Sequence, residues 1–289
     1  MSLSVIINAD DLGLNPVVNN AIDEALAKGV ITSSTILANS KYLNDVKDII
    51  RKNPAASYGI HLDLTEGSSF TNNPLFITRG IIDDNGCFIH GNSKRCSNAD
   101  EELKEAIRLE WNAQIEHLLH EGFDLSHVDG HHHCHTWYGL QDVLVGLMAK
   151  YNLTKARNCY RYPIVDATHK LICLFSCFLV NSGIFKESAI CANNQYFSHI
   201  SGACRNYQHF MLYNNALESF NIGTTDYFGA YEDFYKLIRR GFKPNGNYAI
   251  ELMCHPGLPA YKEEVMMVLQ DAIGVKQSDN FQLISYKEL

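Results

Sequence analysis

The 289-residue chain has nine cysteines, yet no two of them stand as C-x-x-C. Their number is odd, and most lie in apolar stretches, as Cys173 and Cys177 do. That argues against a disulfide framework and fits reduced core thiols in a cytoplasmic protein. No G-x-G-x-x-G or P-loop follows a strand-like run, so the common nucleotide-binding signatures are missing. Positive charge is scarce: 24 Lys and Arg against 32 Asp and Glu leave a net charge of −8. Such a balance repels nucleic acid and anionic membrane surfaces and suits a neutral or cationic small substrate better than a polyanion. The most apolar segment, Leu171 to Val180, is too short to span a bilayer. Met1-Ser2-Leu3-Ser4 enters an apolar run directly, without a basic start or a cleavable apolar stretch, so no signal peptide is expected.

What the chain has is an ordinary apolar content, 46%, arranged in alternating strand-like and helix-like runs. Val5 to Ala9 reads as a buried strand. Asn15-Pro16 then opens a helix with the stripe Val18, Ile22, Ala25 and Leu26, closed by Gly29. Strands follow over 30–38 and 58–62, around a helix marked by Leu43, Val46, Ile49 and Ile50 and stopped before Pro54. Residues 66 to 98 break the rhythm with many Gly, Asn and Ser, and read as an inserted lid or substrate loop. A long helix over 100–120 leads to a strand at 125–129. Beyond Gly139 come a helix and a strand near 154–157. Helices are expected at 171–180, 206–220, 232–240 and 262–273, and strands at 196–200, 248–254 and 281–285. Alternation of this length predicts an α/β fold, a distorted, TIM-barrel-like (β/α) barrel of about seven parallel strands. It would form a single domain over 1–289; an open doubly wound sheet is the alternative.

The run His127-Val128-Asp129-Gly130-His131-His132-His133-Cys134-His135 puts His, Asp, His, His and His at every second position. On an extended strand such residues share one face, so the run predicts up to five ligand-capable side chains on one side, a metal or catalytic site. Further polar residues fall at predicted strand ends, where barrel enzymes keep their active sites. Asn8, Asp10 and Asp11 follow the first strand, and His61 and Asp63 end the third. Asp129 and His131 end the fourth, Arg157 the next, and His255 follows the strand over 248–254.

Five segments together resemble the YdjC-like family of carbohydrate deacetylases, typified by chitooligosaccharide deacetylase. They are Asn8-Ala9-Asp10-Asp11-Leu12-Gly13-Leu14, Gly29-Val30-Ile31-Thr32-Ser33-Ser34-Thr35, Gly59-Ile60-His61-Leu62-Asp63-Leu64-Thr65, His127-Val128-Asp129-Gly130-His131-His132-His133 and His255-Pro256-Gly257. Order and spacing match to about residue 163; beyond it the His-Pro-Gly segment carries the match. The family usually has Phe where Leu12 stands and often Ser where Gly130 stands, and residues 165–225 show no matching pattern.

The resemblance implies a hydrolase on a distorted barrel that removes the N-acetyl group of a small N-acetylated saccharide with one divalent metal ion. Carried onto this chain, Asp11, His61 and His131 would hold the ion. One carboxylate with two imidazoles suits Zn²⁺, and Co²⁺, Ni²⁺ or Mn²⁺ as neighbours, although the family is often described with Mg²⁺. Asp10 would act as general base and His255 would protonate the leaving amine. Asp129 would orient a ligand imidazole or else stabilise a turn. His133, Arg157 and Trp137 would support the ligands or touch the sugar. A homodimer is the assembly the family suggests. A metal-dependent phosphoesterase, another amidohydrolase and a non-catalytic sugar binder are the rival readings.

Overall fold

In the computed structural model, residues 3–97, 99–158, 212–239, 248–276 and 279–289 are described. Among these residues seven parallel strands form one sheet, curled into a half-barrel. They are β1 (Leu3–Leu12), β2 (Ser33–Leu37), β3 (Ser57–Leu62), β4 (Val128–Gly130), β5 (Tyr227–Ala230), β6 (Ala249–Cys254) and β7 (Phe281–Leu283). The order is β4-β3-β2-β1-β6-β5, and β7 pairs with the start of β1 through Leu3, Ser4 and Val5. The expected strand at 154–157 shrinks to single pairings, Val128 with Ala156 and Lys155 with Gly223. These carry the curl onward from β4.

Among the described residues the helices are α1 (Pro16–Ala27), α2 (Leu43–Lys52), α3 (Pro74–Thr78), α4 (Ser93–Cys96), α5 (Glu101–His120), α6 (Gln141–Lys150), α7 (Tyr231–Arg239) and α8 (Lys262–Leu269), with a further helical stretch over 212–219. The start of α1 follows from its sequence: the Asn15 side chain accepts the N–H groups of Val17 and Val18 at 2.9 and 3.1 Å, and Pro16 needs no donor there. Its stripe Val18, Ile22, Ala25 and Leu26 packs onto the sheet. Asp100 caps α5 in the same way, accepting from Leu103 N at 3.0 Å. Every residue of β2 and β3 is buried, as expected of parallel strands covered on both faces. The expected helix at 171–180 and strand at 196–200 lie outside the described residues, as does the first part of the helix expected at 206–220.

Residues 66–97 are folded, with α3, α4 and two antiparallel pairings, Ser68 with Cys87 and Ile82 with Phe88. A buried carboxylate clasps the segment to α5. Glu110 accepts from Ser69 Oγ at 2.7 Å, from the N–H groups of Phe70 and Thr71 at 3.0 Å each, and from Thr71 Oγ1 at 2.7 Å.

Two sequence expectations need correction. The first strand runs through Asp10 and Asp11 instead of ending before them. Their charges are tolerated in a buried strand because each carboxylate finds a cationic or imidazole partner. The histidine run is also not extended throughout. The strand ends at Gly130, and His131–Thr136 form a 3-10 turn with His132 and His133 at φ of 50° and 55°. The chain folds back over Gly130 so tightly that a Cβ there would lie 2.9 Å from Cys134 Sγ. Alternation needs extended backbone, so the five side chains do not share a face.

Candidate active site

The site begins with an irregularity in β1. Ala9 pairs with Ser34 and Leu12 with Ile36, so β1 carries one residue more than β2 across this interval. The bulge centres on Asp10 and Asp11, and Asp11 sits at φ 69°, in the left-handed region. Neighbours on a regular strand point to opposite faces; the bulge brings both carboxylates to the same side.

Asp11 meets two imidazoles there. Its Oδ1 lies 2.8 Å from His131 Nδ1 and 3.3 Å from His61 Nε2, and the two ring nitrogens are 3.3 Å apart. Three atoms each ~2.1 Å from one cation would stand about 3.0–3.4 Å from each other, close to these separations. Asp11 Oδ1 is buried and receives no well-formed hydrogen bond, and neither does His131 Nε2. Behind the triangle, His61 Nδ1–H donates to Asp129 Oδ1 at 2.6 Å, and Thr35 Oγ1–H donates to Asp129 Oδ2 at 3.0 Å. This bond leaves Nε2 as the ring nitrogen facing Asp11. On the outer side, His131 Nε2 lies 3.6 Å from Glu66 Oε2, on the clasped segment. Glu66, His131 and His132 form a second, more exposed group that could hold an ion and shares His131 with the first.

Arg157 organises the other half. Its guanidinium is fully buried and grips Asp10 with two bonds, NH1 to Oδ2 at 2.8 Å and NH2 to Oδ1 at 2.6 Å. It also lies 2.8 Å from Asp129 Oδ2 and donates from Nε to Glu251 Oε1 at 2.8 Å. Tyr286 O–H completes Glu251 at 2.5 Å. Three buried carboxylates, Asp10, Asp129 and Glu251, thus surround one buried guanidinium, and a fourth, Asp11, stands beside them against the two imidazoles. Protonated imidazole or a bound cation is needed to balance them.

The proton affinities follow. Burial works against ionised Asp10, but the Arg157 charge and hydrogen bonds outweigh it and hold the carboxyl well below its usual range. Asp11 is likewise lowered, burial being overcome by the close approach of the His131 and His61 imidazoles. Burial disfavours charge on His61, yet Asp129 and Asp11 raise it well above ordinary imidazole. His131 is raised by Asp11 in the same sense. Burial lifts Glu251 to about 7, with Arg157 pulling the other way.

His255 follows β6, which pairs with β1 so that Cys254 stands beside Ala9. Its Nε2 lies 4.0 Å from Asp10 Oδ2. The adjoining Gly257 has φ 85°, and a Cβ there would lie 2.7 Å from Val18 Cα and 2.8 Å from Val17 O. Only glycine lets this turn approach the start of α1 so closely.

Asp10, Asp11, His61, His131, Asp129, Arg157 and His255 therefore meet in one place. His133 does not join them; its ring stands edge-on to Phe228 at 5.5 Å. Trp137 is half-buried against the main core. His127 stacks on Tyr286 at 3.7 Å and serves the core. Asp63 caps its own loop, accepting from Thr65 N at 2.7 Å. Sequence reasoning missed Glu251, although a carboxylate inside the apolar strand Ala249–Cys254 is a readable signal. It also missed Thr35, Glu66 and Glu264, whose partners are set by tertiary contact.

A curled parallel sheet with its polar cluster at the C-terminal strand ends is the layout of barrel-type α/β enzymes. The family model for YdjC-like protein matches residues 4–286, and the chain belongs to that family. A carbohydrate deacetylase of Oceanobacillus iheyensis is 33% identical over 187 residues, covering 64% of this chain and 79% of that one. A carbohydrate deacetylase of Thermoanaerobacter pseudethanolicus is 28% identical over 64% of this chain and 73% of its own. A crystal structure from Enterococcus faecalis V583, provisionally described as a cellobiose-phosphate cleavage protein, superposes with a TM-score of 0.66 at 22% identity. It covers 100% of this chain and 99% of that one, and shows a shared fold.

Proposed function

We propose that the chain is a divalent-metal-dependent carbohydrate deacetylase acting on a small N-acetylated saccharide of the chitooligosaccharide type. The observation that carries this reading is the buried triangle of Asp11 Oδ1, His61 Nε2 and His131 Nδ1, with its unsatisfied carboxylate oxygen. Asp11, His61 and His131 would hold the ion, and this donor set favours Zn²⁺ and its borderline neighbours over Mg²⁺. When bound, the cation supplies Lewis-acid polarisation of the amide carbonyl and makes the attacking water more acidic.

The rest is done by the chain. Asp129 keeps His61 in one tautomer and orientation. Asp10 accepts the proton of the attacking water. Its grip by Arg157 keeps it ionised and makes it a weak base at rest, so it takes the proton as the new C–O bond forms. His255 gives a proton to the departing nitrogen, yielding acetate and a free amino sugar. A phosphoester substrate fits less well, because the three carboxylates around Arg157 already use its charge.

Acetate release from chitobiose and longer N-acetylated sugars, with chelator and with added metals, tests the reading. Metal-dependent acetate is the expected result; phosphate release alone, or sugar binding without turnover, would replace it. Asp10→Asn should keep its metal and lose roughly 10²–10⁴-fold in rate, as for a missing general base. An equal rate in that variant takes Asp10 out of the mechanism.

Cation uptake should also expel protons. The carboxylates raise His61 and His131 above ordinary imidazole, so the metal-free site holds its protons to higher pH than free imidazole would. Affinity should therefore fall as pH falls and the imidazoles hold their protons more firmly. Titration calorimetry in buffers of differing ionisation enthalpy reads this release, and heats independent of the buffer would contradict it.

A further inference from the structure

The deacetylase reading uses one nitrogen of His255 and leaves the other unexplained. Nε2 faces Asp10. Nδ1 is buried without a well-formed hydrogen bond, and Glu264 Oε2 faces it at 3.7 Å. The same oxygen accepts the His255 backbone N–H at 2.9 Å. Glu264 lies in the first turn of α8 and is 3% exposed. A carboxylate that deep is costly unless it is paired, and here it is paired to His255. The Tyr261 ring stacks on the imidazole at 4.3 Å with the planes 23° apart, limiting how the ring can turn.

We propose that Glu264 is the positioning residue of His255: it anchors the backbone, keeps Nδ1 protonated and so directs Nε2 with its proton toward the leaving nitrogen. The identity of the proton acceptor rests on the deacetylase reading; the hold on the ring does not. As the C–N bond breaks, its electron pair goes to nitrogen and the Nε2 proton follows. Nδ1–H stays toward Glu264, and the neutral ring regains a proton from water. The groups facing His255 are Glu264 and the Tyr261 ring on one side, and Asp10 and Asp11 from β1 on the other. Burial opposes charge on the ring, and Glu264, Asp10 and Asp11 together raise it.

Glu264→Gln tests this in the metal-loaded protein, because the amide oxygen can still accept the backbone N–H while the charge is gone. Turnover of an unactivated sugar acetamide should fall about 10–100-fold with KM little changed, as for other partners that orient a reacting imidazole. An acetyl ester with a good leaving group should lose less. The alkaline limb of the kcat profile should move to lower pH, and Glu264→Asp should recover part of the loss. Independently of turnover, ¹⁵N NMR of His255 should show Nδ1–H in the wild type, and a mixed tautomer with a lower midpoint in Glu264→Gln. Wild-type tautomer, midpoint and limb in that variant would overturn the proposal. If the wild type releases no acetate from any N-acetylated sugar, the deacetylase reading fails, and the NMR comparison still decides the role of Glu264. If the Gln variant does not fold, the wild-type spectrum alone decides: a neutral His255 ring carrying its proton on Nε2 instead of Nδ1 would be equally fatal.

Discussion

His131→Ala is expected to leave a folded protein without its metal and without measurable deacetylation. Asp11 Oδ1 would keep only His61 Nε2, at 3.3 Å, and two protein donors hold a divalent ion far less firmly than three. The rate should fall by at least ~10³-fold, since under the proposed function a held ion would acidify the attacking water. His133→Ala is the contrast. His133 lies in the same turn, but its ring stands edge-on to Phe228, and its variant should retain the ion. Metal analysis after dialysis, circular dichroism and acetate release together decide the matter. Full metal and full rate in His131→Ala would remove that residue as a ligand.

Arg157→Met should produce the largest loss of stability. The guanidinium is fully buried and touches Asp10, Asp129 and Glu251. Removing it leaves three buried carboxylates packed together without their counter-charge. Breaking a buried ion pair from one side costs about 3–5 kcal/mol, a drop in melting temperature on the order of 10 °C for a chain of this size. Arg157→Lys should fall between, because an ammonium keeps the charge but cannot hold Asp10 with two parallel bonds. If the Met variant cannot be purified, the Lys variant supplies the comparison. A melting temperature equal to the wild type in both would mean that the carboxylates are neutralised by other means.

Much of this arrangement is legible in the sequence because simple rules govern it. Asn15-Pro16 announces a helix start, and the apolar runs before His61 and His255 announce buried strands. The rule that polar groups gather at strand ends then brings Asp11, His61 and His131 near one another, although some 50 and 70 residues separate them along the chain. The histidine run is misread for a definite reason. Alternation presumes extended backbone, and nothing in a row of histidines marks where the chain leaves the strand; Gly130 does so. The long reach of β1 is hidden because charged residues argue against a buried strand until their partners are known. Arg157 lies 147 residues from Asp10, and that separation conceals the partnership.

The extra residue in β1 ties two duties to a single length of chain. A substitution can exchange Asp10 or Asp11 for another side chain, but only a change in residue count can undo their shared aim. Deleting one residue beside them would restore simple alternation and turn one of the two acids outward. Evolution along this lineage can therefore drift in side chains around the cavity far more easily than it can add or lose a residue at that one kink.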